Sequence, residues 1–168
     1  TSFSFDKKNG RLSYVNTQSS GGDHPCYIET DRTGKWVFAG NYSSGNLAVF
    51  PVKTDGGLSP ADTLIQHTGQ GINEQRQKGP HVHCTVLSPD NKWLLVSDLG
   101  IDKTMIYRFD AGTGKLSTGK QKYIVSEPGA GPRHFVFHPN NKAGYLIEEL
   151  SGTIAAHKIK NGRVKINQ

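Results

Sequence analysis

The side chains with the most chemistry to offer are His81 and His83, Arg133, and the adjacent pair Glu148 and Glu149. Imidazoles bind anions, shuttle protons near neutral pH or ligate metals. On an extended strand residues i and i+2 share a face, so His81 and His83 point one way and Val82 the other. Arg133 follows Gly129-Ala130-Gly131-Pro132, a turn leading into a strand. Its guanidinium is a rigid fork suited to carboxylate or phosphate, and its plainer role is a salt bridge to Glu148 or Glu149. Adjacent strand residues face opposite ways, so the two glutamates meet different surroundings. A carboxylate near like charge or apolar walls rises in pKa and can act as general base or acid. Asp98 is a further candidate for binding substrate, although Asp98 and Asp102 flank Gly100 and turn capping is the ordinary role of such a pair. A metal would need three or four converging ligands; Asp98 or Glu149 would have to complete the histidine pair, and no metal is expected. The chain has no GxSxG elbow, and its glycine pairs do not extend into GxGxxG or a phosphate loop.

The elements that position these residues repeat. Phe5-Asp6 leads to Gly10-Arg11-Leu12, Phe50 to Gly56-Gly57-Leu58, Phe109-Asp110 to Gly114-Lys115-Leu116, and Ile159 to Gly162-Arg163-Val164. The recurrence is about every 50 residues, near the period of four-stranded propeller blades. Within each repeat a turn precedes a lysine (Lys35, Lys92, Lys142), and an apolar run follows it: Trp36-Val37-Phe38-Ala39, Trp93-Leu94-Leu95-Val96, Ala143-Gly144-Tyr145-Leu146-Ile147. Later apolar runs begin at Leu47, Thr104 and Ile154. Short strands bounded by Gly, Pro, Asn and Asp read as antiparallel β, and no long window keeps helical spacing. The expectation is an all-β chain forming part of a β-propeller, with the tail of one blade and then repeats at 13–58, 59–116 and 117–164. In this alignment Glu148 matches Asn41 and Asp98, which suggests a structural slot, so Glu149 stands apart as the functional candidate. His134, opposite Arg133 in strand alternation, is expected to pack between blades. Three repeats and a tail do not close a ring, so the remaining blades are an expected partner and the chain reads as the inside of a longer protein.

Bulk properties narrow the function classes. Lys and Arg number 20 against 14 Asp and Glu, for a formal charge of +6. They are scattered, with Lys7-Lys8 the one adjacent pair, whereas nucleic-acid binders cluster them; no nucleic acid is expected. No window approaches the roughly 20 apolar residues of a membrane helix, so no membrane partner is expected either. Cys26 and Cys84 form neither a disulfide framework nor a CxxC site. They suit buried packing and lean the chain towards the cytoplasm.

Gly79-Pro80-His81-Val82-His83-Cys84, Ser97-Asp98-Leu99-Gly100-Ile101-Asp102, Gly129-Ala130-Gly131-Pro132-Arg133-His134 and Glu148-Glu149-Leu150, with Asn41-Tyr42-Ser43-Ser44-Gly45-Asn46 upstream, follow one another in this order. Together they resemble the seven-bladed lactonase family, which includes 6-phosphogluconolactonases and carboxymuconate lactonizing enzymes. The resemblance covers nearly the whole chain and implies about half of a seven-bladed ring. It implies a site of one histidine (His81 or His83), Arg133, Glu149 and a second arginine from a later blade. The implied activity is hydrolysis of a sugar lactone or phosphosugar lactone, most plausibly 6-phosphoglucono-1,5-lactone, with no cofactor. Lactone formation from a muconate-type diacid and a non-catalytic binding platform are the alternatives.

Overall fold

The structure is a computed structural model that describes residues 1–160 and 163–165; Gly162 of the fourth turn and the stretch beyond Lys165 lie outside the described residues. A two-stranded ribbon of β1 (Ser2–Asp6) and β2 (Arg11–Asn16) comes first. Three four-stranded antiparallel meanders follow. The first holds β3 (Pro25–Thr30), β4 (Trp36–Asn41), β5 (Asn46–Pro51) and β6 (Thr63–Gln66). The second holds β7 (Val82–Leu87), β8 (Trp93–Asp98), β9 (Lys103–Phe109) and β10 (Leu116–Val125), with a single 3-10 turn at Leu99–Ile101. The third holds β11 (Pro132–Phe137), β12 (Ala143–Glu148), β13 (Thr153–Lys160) and β14 (Arg163–Lys165). Among the described residues no helix is long and apolar enough to cross a membrane.

The central runs are apolar on consecutive residues because the sheets stack face to face and the middle one is covered on both sides. Leu94 and Val96 pack with Phe38, Leu47 and Val49 of the first sheet. Leu95, between them in sequence, packs with Phe135 and Leu146 of the third. Strand alternation sends neighbours to opposite faces, and each face finds a partner. Fully burying such a side chain contributes about 1.5–3 kcal/mol. Asp31, Ser88 and His138 close the turns before the second strands, with left-handed backbone at Gly34, Asn91 and Asn141. That conformation favours Gly and Asn, which accounts for the residues before the three lysines.

The sheets are phased differently from the sequence repeat. Each interval 13–58, 59–116 and 117–164 joins the last strand of one sheet to the first three of the next. The glycine turn that marks the repeat lies between third and fourth strands, as at Val52 and Leu58, which bridge across it. Cys84 is buried as expected, whereas Cys26 is exposed. The two flanks of the array stay apolar: Phe3, Phe5, Leu12 and Tyr14 are exposed on the ribbon, and Tyr145, Ile147 and Ile154 on the third sheet.

Candidate active site

The first strands β3, β7 and β11 lie side by side, with β7 touching both others. Each has a register shift at its start, between Pro25 and Tyr27, Val82 and Cys84, and Pro132 and His134. The extra residues are Cys26, His83 and Arg133. A bulge leaves one residue out of the ladder and re-aims its side chain. All three line one cleft of about 490 Å³, together with Glu149, Tyr42, Arg76 and His24. Glu149 leaves β12 directly after Glu148, and its N–H donates to the Gly131 carbonyl at 2.8 Å.

The polar contacts centre on Glu149. Arg76 Nη2 donates to its Oε1 at 2.7 Å and to the Tyr42 hydroxyl at 3.2 Å. Arg133 Nε lies 3.0 Å from its Oε2 and also donates to His83 Nε2 at 3.0 Å. His83 Nε2 is 4.0 Å from Oε2. Burial alone would raise the Glu149 pKa, but the hydrogen bond and charge of Arg76, then Arg133 and His83, outweigh it and hold the carboxyl below its usual value. The carboxylate is therefore ionised at neutral pH, contrary to the expectation of a raised pKa. Burial lowers the pKa of His83, with the Arg133 and His134 charges adding to it against a hydrogen bond to its own backbone and the Glu149 charge. The imidazole is neutral at pH 7 and its Nε2 accepts from Arg133, so the ring proton sits on Nδ1.

Of the residues expected from the sequence, Arg133, His83 and Glu149 come together. His81 does not line the cleft. Its ring stacks on Tyr42, with centroids 4.5 Å apart, and its Nδ1 meets the Tyr42 carbonyl at 3.0 Å. The bulge at His83 breaks the alternation that would have paired the two imidazoles. Asp98 does not line the cleft and is fully buried. Its Oδ2 meets His67 Nδ1 at 2.7 Å, and its Oδ1 accepts from the N–H groups of His81 and Gly100. Asn41, Asp98 and Glu148 occupy equivalent ladder positions, opposite Pro25, Val82 and Pro132, and all three are buried. His134 packs against Tyr27 and His83. Among the described residues no three His, Cys, Asp or Glu side chains converge as a metal site.

Sequence reasoning missed Arg76, Tyr42, Cys26 and His24. Cys26 had a signal, since it matches His83 and Arg133 once the repeats are aligned on their first strands. Arg76 had none, because it sits in the connection between β6 and β7 where the repeat is silent. His24 has a left-handed φ of 52° and meets Ser43 Oγ through Nδ1 at 2.8 Å. Non-glycine residues in that region are uncommon and gather at functional sites.

Comparison with known proteins agrees with this architecture. The chain is 37% identical over 164 residues to a 6-phosphogluconolactonase of Formosa agariphila, covering 97% of this chain and 46% of that protein. It is 37% identical over 154 residues to a 6-phosphogluconolactonase of Bacillus subtilis, covering 92% and 43%. It superposes on the periplasmic gluconolactonase of Pseudomonas aeruginosa with a TM-score of 0.90 and 34% identity, covering 99% of this chain and 47% of that one. The chain thus spans about half the length of the relatives it matches. The seven-bladed β-propeller lactonase model matches residues 1–168, and the chain belongs to that family.

Proposed function

We propose that the full-length protein hydrolyses a sugar lactone, 6-phosphoglucono-1,5-lactone, in the cleft around Glu149. The observation that carries this reading is the Glu149 carboxylate held between two guanidiniums beside a neutral imidazole. Glu149 takes a proton from water as its oxygen attacks the lactone carbonyl. Among the described residues Arg133 uses only its Nε, so its Nη groups are available to the oxyanion of the tetrahedral intermediate. Donors aimed at developing charge supply the largest share of such catalysis. Collapse of the intermediate breaks the bond to the ring oxygen, which takes the proton from Glu149, and the product is the open-chain acid. His83 is a positioning residue that accepts from Arg133 Nε and fixes the plane of the fork. No acyl-enzyme and no cofactor enter this sequence.

The remaining blades cover the apolar flanks at Phe3, Phe5, Tyr145 and Ile147 and complete the cleft wall. A phosphorylated substrate fits the cytoplasmic setting expected from the sequence. The test is Glu149→Gln in the full-length protein, which keeps shape and removes the base. A fall in kcat of about 10²–10⁴ is expected for loss of general-base catalysis. An unchanged rate removes Glu149 from the mechanism. Activity confined to phosphate-free diacids would favour muconate-type cyclisation instead.

A further inference from the structure

Arg76 is presented to the cleft by a hydrogen-bonded turn. Asn73 organises the turn: its Oδ1 accepts from the N–H groups of Gln75 and Arg76, and its carbonyl from Gln77 N at 2.8 Å. Gln77 is 1% exposed and fills the space beneath. Its Nε2 donates to the Leu99 carbonyl at 2.8 Å and to Asp102 Oδ1 at 2.7 Å, and its Oε1 accepts from Asn73 N at 3.0 Å. With Gln77 anchored inward, its neighbour Arg76 reaches outward to Glu149 and Tyr42.

Three features of that contact point to an exchangeable partner. The Arg76 and Glu149 side chains are 45% and 26% exposed, and ion pairs so open to water are weak. Among the described residues Arg76 uses only Nη2, so its Nε and Nη1 are uncommitted. The cleft also carries an excess of positive charge, since Arg76 and Arg133 face one carboxylate and a neutral His83. A phosphate offers a guanidinium a two-pronged, charge-assisted contact stronger than a single hydrogen bond to a partly solvated carboxylate. The Tyr42 hydroxyl, held by the stacked His81 ring, stands beside it as a second donor.

We propose that Arg76 reads the phosphate of the substrate and, in moving onto it, releases Glu149 to act as base. This inference rests on the lactonase reading above and names the residue that selects among lactones. While Arg76 sits on Oε1 the carboxylate is a poor proton acceptor. A bound phosphate draws the cation away and leaves Oε2 on Arg133, and the carboxylate gains basicity when water is to be attacked. A lactone without phosphate leaves the pair in place.

The full-length wild type and Arg76→Gln are compared on 6-phosphoglucono-1,5-lactone and glucono-1,5-lactone. The ratio of the two kcat/KM values is expected to fall about tenfold or more in the variant, the cost of one charged hydrogen bond. Arg76→Lys, a point charge without the fork, is expected to restore part of the ratio. A ratio that does not change overturns the proposal, even if both rates fall together. Calorimetric titration with inorganic phosphate gives a separate reading: weaker binding to Arg76→Gln supports the proposal, and equal binding overturns it. If the wild type hydrolyses neither lactone, the lactonase reading fails, and the phosphate titration still decides the role of Arg76.

Discussion

Two histidine–carboxylate pairs lie in the same part of the molecule and differ in almost every respect except residue type. His67 and Asp98 meet at 2.7 Å with side-chain exposures of 2% and 0%. His67 Nε2 meets the Tyr107 hydroxyl at 3.0 Å, and Asp98 accepts two backbone N–H groups as well. His83 and Glu149 stand 4.0 Å apart at 11% and 26% exposure, and Arg76 and Arg133 both contact the carboxylate. In the first pair every polar atom is committed inside the protein. In the second, the carboxylate is shared among cations that also face the cleft. Buried networks specify structure when fully satisfied, whereas a site that must exchange partners with a ligand keeps weak, open contacts. The chemistry of a side chain is thus set by how many of its partners are replaceable.

The sharpest way to break this contrast is to remove each carboxylate in turn. Asp98→Ala leaves His67 Nδ1 and the N–H groups of His81 and Gly100 without a partner, and a loss of about 3–5 kcal/mol of stability is expected. Glu149→Ala removes a partly exposed pair, for which the expected change is within about 1 kcal/mol. Chemical denaturation of the full-length protein carrying either change measures both. Equal losses would mean that Glu149 is as structural as Asp98.

A second prediction uses protonation. Burial lowers the pKa of His83, and its neutral form holds Arg133 Nε. Protonation turns Nε2 from acceptor to donor and expels the guanidinium. Activity is therefore expected above the His83 pKa and expected to be lost as pH falls through it, at values below the ordinary histidine value of about 6.5. The Glu149 carboxyl is also lowered, by the hydrogen bond and charge of Arg76 with Arg133 and His83 acting against burial. A kcat/KM profile with its acid limb below pH ~6.5, displaced or abolished in His83→Gln, is the expected result. An acid limb above that value would assign it to another group.

The sequence and the structure agree where periodicity carries the information. Trp93-Leu94-Leu95-Val96 reads as a buried strand because both of its faces are covered, and the recurrence of such runs is enough for the blades. They part where a single residue departs from the period. The bulges at Cys26, His83 and Arg133 insert one residue without any mark in composition, so the sequence leaves the choice between His81 and His83 open. Asp98 has the residue type of a ligand beside a histidine-rich motif, while its alignment with Asn41 and Glu148 points to the buried slot that it occupies. Arg76 lies in a loop whose shape depends on Gln77 reaching Leu99 and Asp102. That contact joins segments far apart in sequence, and no local pattern announces it.

The smallest effect tests the finest part of the contrast, the hydroxyl of Tyr42. Its ring is fixed by stacking on His81 and by an edge contact from His83 at 5.5 Å. Tyr42→Phe keeps both contacts and removes only the acceptor for Arg76 Nη2 at 3.2 Å. Among the described residues the partly exposed Arg76 side chain then has Glu149 as its single partner, and water replaces the lost bond. Stability is expected to change by less than about 0.5 kcal/mol, as for surface changes generally. KM for the phosphorylated lactone is expected to rise by a few-fold, about the 0.5–1.5 kcal/mol of one hydrogen bond. By contrast, Tyr107→Phe takes the same atom from the enclosed pair and leaves His67 Nε2 buried without its partner. There the loss should appear as about 1–3 kcal/mol of stability with KM unchanged. If the two tyrosines exchange these signatures, the division between the committed and the exchangeable pair is wrong.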